Sequence, residues 1–161
     1  MTVTYPTLEH VAMQARPYPT HLLEGCETGL VLFAAAFLGH NDAIHFAEMG
    51  IETTCVDIDG ERLSEMRGLY PDSWRFVESD AWKFADTAYA EEMSYDAVSA
   101  DTFSGDAMRR SLDSLDLWCS LTRKVVTVTY TAGEAYEVPD GWRGDLYERV
   151  TGVYWLVLTR A

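Results

Sequence analysis

The chain has 161 residues, with 26 acidic side chains against 12 basic ones and a net charge of −14. That length suits one domain with one core, so residues 1–161 are expected to fold as a single unit. So acidic a balance argues against general binding to phosphate backbones. The longest uncharged apolar run, Leu30 to Leu38, is about half of what a membrane-crossing helix needs.

Residues 1 to 27 open with a helical pattern, Leu8, Val11 and Met13 after Thr7, which breaks at Pro17 and Pro19. They read as a lead-in that packs over a sheet. No basic region precedes an apolar one here, so nothing marks the chain for secretion and a cytoplasmic protein is expected. Leu30 to Ala35 is apolar on both faces, as a central parallel strand must be. Asn41 or Asp42 is placed to cap the helix that follows, and Gly50 to end it. Thr53 to Ile58 is a second strand; Asp59 then caps a helix that stops before Pro71. Arg75 to Glu78 and Tyr95 to Ala100 are the third and fourth strands, with a helix between them. Met108, Leu112, Leu115 and Trp118 then mark one amphipathic helix capped by Ser104 or Asp106. Lys124 to Tyr130, almost wholly Val and Thr, is a fifth strand.

Alternation of five strands with four helices predicts an α/β fold: a three-layer, doubly wound parallel sheet. The last thirty residues differ. Asp145 to Val150 and Val153 to Thr159 are strand-like runs separated by Thr151-Gly152 alone, and two residues can join only antiparallel neighbours. The five parallel strands are thus followed by an antiparallel C-terminal hairpin.

Cys26, Cys55 and Cys119 are odd in number, widely spaced and without a CxxC pair, which speaks for buried thiols over disulfides or zinc. His40 and His45, five apart, fall on different faces of a helix, and no metal site is expected. Arg109-Arg110 and Arg123-Lys124 are the adjacent basic pairs, and two pairs do not make a nucleic-acid stripe.

Acids stand at or just beyond the ends of strands two, three and four: Asp57, Asp80 and Asp101. In a doubly wound sheet those ends line one crevice, where ligands bind. From Gly29 to the C-terminus, about four-fifths of its length, the chain resembles the class I S-adenosylmethionine-dependent methyltransferases. VLFAAAFLG lies where that family has a first strand and glycine-rich loop of the kind VLDLGCGTG. VDID lies where it has an acid for the ribose hydroxyls, and SDA where it has one for the adenine amino group; the terminal hairpin matches its last strands. The resemblance implies S-adenosylmethionine as cofactor. It implies that Asp57 accepts from ribose, Asp80 and the Ala81 amide meet adenine, and Gly39 lets the helix start close to the ligand. Asp101 is then the candidate catalytic residue, taking a proton from the acceptor. Trp82 is read as core sooner than as a stacking platform.

The departures are Phe33, where the family has an acid for the amino-acid end of the cofactor, and Ala35 and Phe37, which replace two glycines. The fourth-strand tail SADTFSG also lacks the Asn/Asp-Pro-Pro-aromatic signature of enzymes that methylate base amino groups. The first reading is methyl transfer to a small molecule or protein, with nucleic acid disfavoured and no membrane partner. A substrate lid would come from residues 1 to 27, from Thr131 to Arg143, or from a second subunit in a homodimer. The alternative is an inactive methyltransferase-fold protein that binds a partner protein through its acidic surface. A third keeps the cofactor but cleaves it.

Overall fold

The structure, a computed structural model, describes residues 18–161 except Ser104, and leaves out the side chain of Phe37. The helix expected around Leu8 to Met13 lies outside the described residues, as does Ser104 as a cap. Strands β1 (Thr28–Leu32), β2 (Glu52–Asp57), β3 (Arg75–Glu78), β4 (Tyr95–Ala100), β5 (Thr122–Thr131), β6 (Trp142–Val150) and β7 (Val153–Arg160) form one mixed sheet in the order β3-β2-β1-β4-β5-β7-β6. The first five pair in parallel. The hairpin joins through its last strand: β7 pairs antiparallel with β5, and β6 takes the outer edge. That insertion of β7 is not specified by the alternation of apolar residues. Gly152, at φ +80°, supplies the left-handed residue that the two-residue turn requires.

Among the described residues five α-helices accompany the sheet: α1 (Phe37–Glu48), α2 (Gly60–Arg67), α3 (Ala81–Ala90), α4 (Gly105–Leu112) and α5 (Leu115–Ser120). Two expectations need correction. The first concerns α1, which starts well before Asn41, from an extended Ala36 that makes no side-chain cap. Asn41 and Asp42 lie inside the helix and are buried, because Asp42 is held by Ser99 of β4 instead of capping a terminus.

The second concerns the helix expected to run through to Trp118, which is two helices. The Ser114 hydroxyl turns back to the Arg110 carbonyl at 2.7 Å and also accepts from Trp82 Nε1 at 2.9 Å. Such local side-chain bonds compete with the helical ladder. The periodicity still selects the core: Leu112, Leu115 and Trp118 are all buried.

Strand residues alternate between two cores, as side chains of period two must. Leu30, Leu32, Val98, Val126 and Leu156 face Trp82 and Ala85 of α3 and Leu115 and Trp118 of α5. Val31, Cys55, Ala97 and Val157 face Phe46 of α1 and Met66 of α2, together with Tyr18 and Leu23. The three cysteines are buried free thiols, as expected.

Candidate functional site at the carboxyl ends of the parallel strands

β1 lies between β2 and β4, so the chain leaves the centre of the sheet in opposite directions on either side of it. At such a reversal the loops after neighbouring strands diverge and leave a crevice.

The loop after β1 is the departure noted in the sequence. It holds Phe33 at φ +57°, a conformation that side chains with a Cβ adopt only when their surroundings enforce it. Here the ring is packed edge-on to Trp82, with centroids 5.4 Å apart. Ala34 and Ala35 are buried, and the Ala34 amide donates to the Val56 carbonyl at 3.0 Å. Gly39, in the first turn of α1, faces this loop. A Cβ built on it would stand 2.1 Å from the Phe33 carbonyl oxygen. Glycine is required there by contact between helix and loop backbone, whatever else binds nearby.

Asp57 ends β2, and both carboxylate oxygens are engaged. Oδ2 accepts from the Ala35 amide at 2.9 Å, and Oδ1 from the Asp59 amide at 2.8 Å. A carboxylate has about four lone-pair sites, so room for two more donors remains. The Asp57 carbonyl accepts from the Ser79 amide at 3.0 Å, which ties the end of β2 to the turn carrying Asp80. Asp80 caps α3, its Oδ1 accepting from Lys83 N at 3.0 Å. Ala81 is the first residue of that helix, where amides have no intrahelical partner. Trp82 belongs to the core: it is 9% exposed, with the Arg110 guanidinium 3.9 Å above its ring.

Asp101 follows β4 and is wholly buried. Its Oδ1 accepts from the Thr129 hydroxyl at 3.1 Å, and Arg149 Nη1 stands 3.7 Å from Oδ2. The structure thus brings Asp57 and Asp80 together at one end of the crevice, and sets Asp101 among buried polar groups from α1, β4, β5 and β6. Three relevant residues escape the sequence reading. Ile58, beside Asp57, leaves its apolar side chain 73% exposed, which suits the face of a flat ring. Asp42 and Arg149 join Asp101 in the interior; no local motif marks them, because they meet across more than a hundred residues.

The fit to an adenosyl group is good at one end. Asp57 keeps acceptor capacity for hydroxyls, Ile58 offers an apolar face, and Asp80 with the start of α3 offers an acceptor beside helix amides. The other end carries Phe33 and buried alanines instead of an acid. The Phe37 side chain, expected to bear on that end, lies outside the described positions. A groove of about 590 Å³ between α4, the start of α5 and residues 135–140 shares none of these residues.

No protein-family model and no curated protein matches the chain. Solved structures do. A hypothetical protein from Thermus thermophilus is similar over 100% of this chain and 94% of its own, with a TM-score of 0.65 and 15% identity. A protein from Streptococcus mutans assigned as a SAM-dependent methyltransferase is similar over 86% of this chain and 46% of its own, TM-score 0.61, 13% identity. The 16S rRNA methylase ArmA is similar over 88% of this chain and 78% of its own, TM-score 0.53, 10% identity. The fold is that of the class I methyltransferases. At these identities the likeness is one of fold, and the chain spans about half the length of the Streptococcus protein. Among the described residues no helix is long and apolar enough to cross a membrane.

Proposed function

We propose that the protein binds S-adenosylmethionine, or a related adenosyl compound, at the carboxyl ends of β1 to β3 and transfers its methyl group to a small molecule or a protein. One observation carries this reading: Asp57 ends β2 and Asp80 follows the neighbouring β3, on one side of the reversal point of a methyltransferase-type sheet. Asp57 then receives the ribose hydroxyls on its remaining lone pairs, each such charged bond contributing about 1.5–3 kcal/mol. Asp80 and the Ala81 amide meet the adenine edge, and Ile58 covers its face. Gly39 acts indirectly, by letting α1 rest on the loop. The sulfonium supplies its own leaving group, so the protein has mainly to align a nucleophile behind the methyl. Asp101, after β4, accepts the proton that the nucleophile gives up.

The acceptor class rests on charge. Both basic pairs are engaged within the fold: Arg109 with Asp113 and Glu134, Arg110 over Trp82, Arg123 with Asp96, and Lys124 with the Gly25 carbonyl. A net charge of −14 adds to this. The fold itself carries no such exclusion, since ArmA is by name an rRNA methylase.

A second reading, a binding scaffold without catalysis, is favoured by the loop after β1. Phe33 turns onto Trp82 there, and the Ala35 amide is already taken by Asp57. Calorimetry with S-adenosylmethionine and with its demethylated product decides between them. Binding that is lost in Asp57→Ala supports the cofactor reading. No heat and no thermal shift at millimolar ligand removes it and leaves the scaffold.

A further inference from the structure

Asp42, Asp101 and Arg149 are 0%, 0% and 2% exposed, and they meet where α1 crosses the ends of β4, β5 and β6. Asp42 Oδ2 accepts from the Ser99 hydroxyl at 2.5 Å, and Asp42 Oδ1 from Arg149 Nη2 at 3.4 Å. Arg149 stands 3.7 Å from Asp101 Oδ2 with its other terminal nitrogen and lies over the Trp155 ring, 4.3 Å from its centre. Two carboxylates therefore share one guanidinium in a buried site. With both ionised, the cluster would bury a net negative charge, which is strongly unfavourable. Asp101 Oδ2, though buried beside these groups, has no hydrogen-bond donor, and Arg149 Nη1, which has no acceptor, stands 3.7 Å from it. A proton on Asp42 removes both difficulties. It leaves one carboxylate for one guanidinium and gives Oδ2 its donor.

We infer that Asp42, Asp101 and Arg149 form an acid–base site in which Asp42 keeps a proton at neutral pH and hydrogen-bonds it to Asp101, while Arg149 positions both carboxyl groups. Asp42 and Arg149 are positioning residues, acting through Asp101. The other titratable groups packed around the pair do not compete. Burial raises the Tyr18 phenol, whose hydroxyl bonds Thr127, and burial lowers the His45 imidazole, so both are neutral near pH 7. Burial and the neighbouring Asp101 push Asp42 well above the usual carboxylate range, against the pull of Arg149 and Ser99.

The use of this site in catalysis rests on the methyl-transfer reading; its existence does not. In that use the acceptor is a neutral amine or alcohol. Its lone pair forms the new bond to the methyl carbon while the electrons of the sulfur–carbon bond stay on sulfur. The N–H or O–H proton then goes to the Asp101 carboxylate.

Carbon-13 spectra of protein labelled at the aspartate carboxyls test the inference. At neutral pH one buried aspartate should give a protonated-carboxyl signal that disappears in Asp42→Asn. In Arg149→Gln that signal should persist to higher pH, and in Arg149→Lys it should return toward the wild-type midpoint. A purely structural arginine would leave the midpoint unmoved. If every aspartate of the wild-type protein is ionised at neutral pH, the inference is overturned, even where the variants fail to fold. Calorimetry with S-adenosylmethionine on the same sample keeps the two claims apart: a protonated Asp42 without cofactor binding upholds the site and removes only its role in methyl transfer.

Discussion

The backbone amide of Ala35 donates to Asp57 Oδ2 at 2.9 Å, which ties the loop after β1 to the end of β2. One carboxylate thus supports the wall of the crevice and stands ready to meet a ligand. Asp57→Ala removes the acceptor for two backbone amides and is expected to destabilise the protein by about 1.5–3 kcal/mol, read as a lower urea midpoint. Asp57→Asn retains one carbonyl oxygen for the loop and should lose less stability. Cofactor binding, followed by calorimetry, should suffer in both variants, since each gives up the charge that strengthens bonds from ribose. Full binding in Asp57→Ala would place the ligand elsewhere.

Gly39 offers a sharper test of the loop. A methyl group there would meet the Phe33 carbonyl oxygen at 2.1 Å, and the obstacle is backbone, not a side chain that can swing aside. Gly39→Ala should therefore cost at least the 1–3 kcal/mol, roughly, of ordinary overpacking. Soluble, wild-type-like Gly39→Ala by thermal unfolding would show that the loop moves freely. Gly50→Ala is a useful reference: its Cβ has open space, so any loss there comes from its φ of +70° alone.

The framework was legible because the local signals agreed with one another. Arg75–Glu78 and Tyr95–Ala100 were bounded by turn residues, and Asp59 stood just before a helix. Pattern failed where polar residues went inside. Asn41 and Asp42 look like caps, yet α1 carries them into the interior, where Asp42 meets Arg149 across 107 positions of sequence. Ser114 likewise looks like any polar helix residue, and its breaking of the helix depends on Trp82 reaching it from α3. The loop after β1 shows the same limit: the replacement of glycine by alanine does not tell which way a side chain turns, and Ala34 and Ala35 are buried while Phe33 packs on Trp82.

Acid should unfold the protein in stages. Burial lowers the His40 imidazole to about 4, so its neutral form belongs to the folded state. A group with a depressed folded value contributes stability that is present above its unfolded value and lost as pH falls. His40 should therefore cost stability between pH 6.5 and about 4, on the order of 3 kcal/mol in full. Asp96 adds to the loss at lower pH. Burial alone would raise it, but the amides of Glu27 and Thr28 and the Arg123 guanidinium hold it below the usual range. Asp42 acts in the opposite sense, since its raised value makes its contribution fullest at low pH and lost as pH rises. Urea midpoints measured from pH 7.5 downward should fall first across the histidine range, and less steeply in His40→Gln. An unchanged slope in that variant would reject the assignment to His40.

Asp80 has two roles that substitution can separate. As the cap of α3 it accepts from the Lys83 amide, and loss of a cap costs about 1 kcal/mol. As the proposed adenine partner it would also accept from an exocyclic amine, for which its position beyond the backbone of β3 matters more than its bond to Lys83. Asp80→Ser keeps a capping oxygen but shortens the side chain and removes the charge, whereas Asp80→Ala removes both. If the adenosyl reading holds, Asp80→Ser should unfold close to wild type yet bind S-adenosylmethionine about ten-fold or more weakly, as expected for the loss of a charged hydrogen bond. Asp80→Ala should show the same weakening together with the stability loss. Equal affinity in wild type and Asp80→Ser would make Asp80 a cap alone, and the adenine edge would then have to be met by the amides at the start of α3.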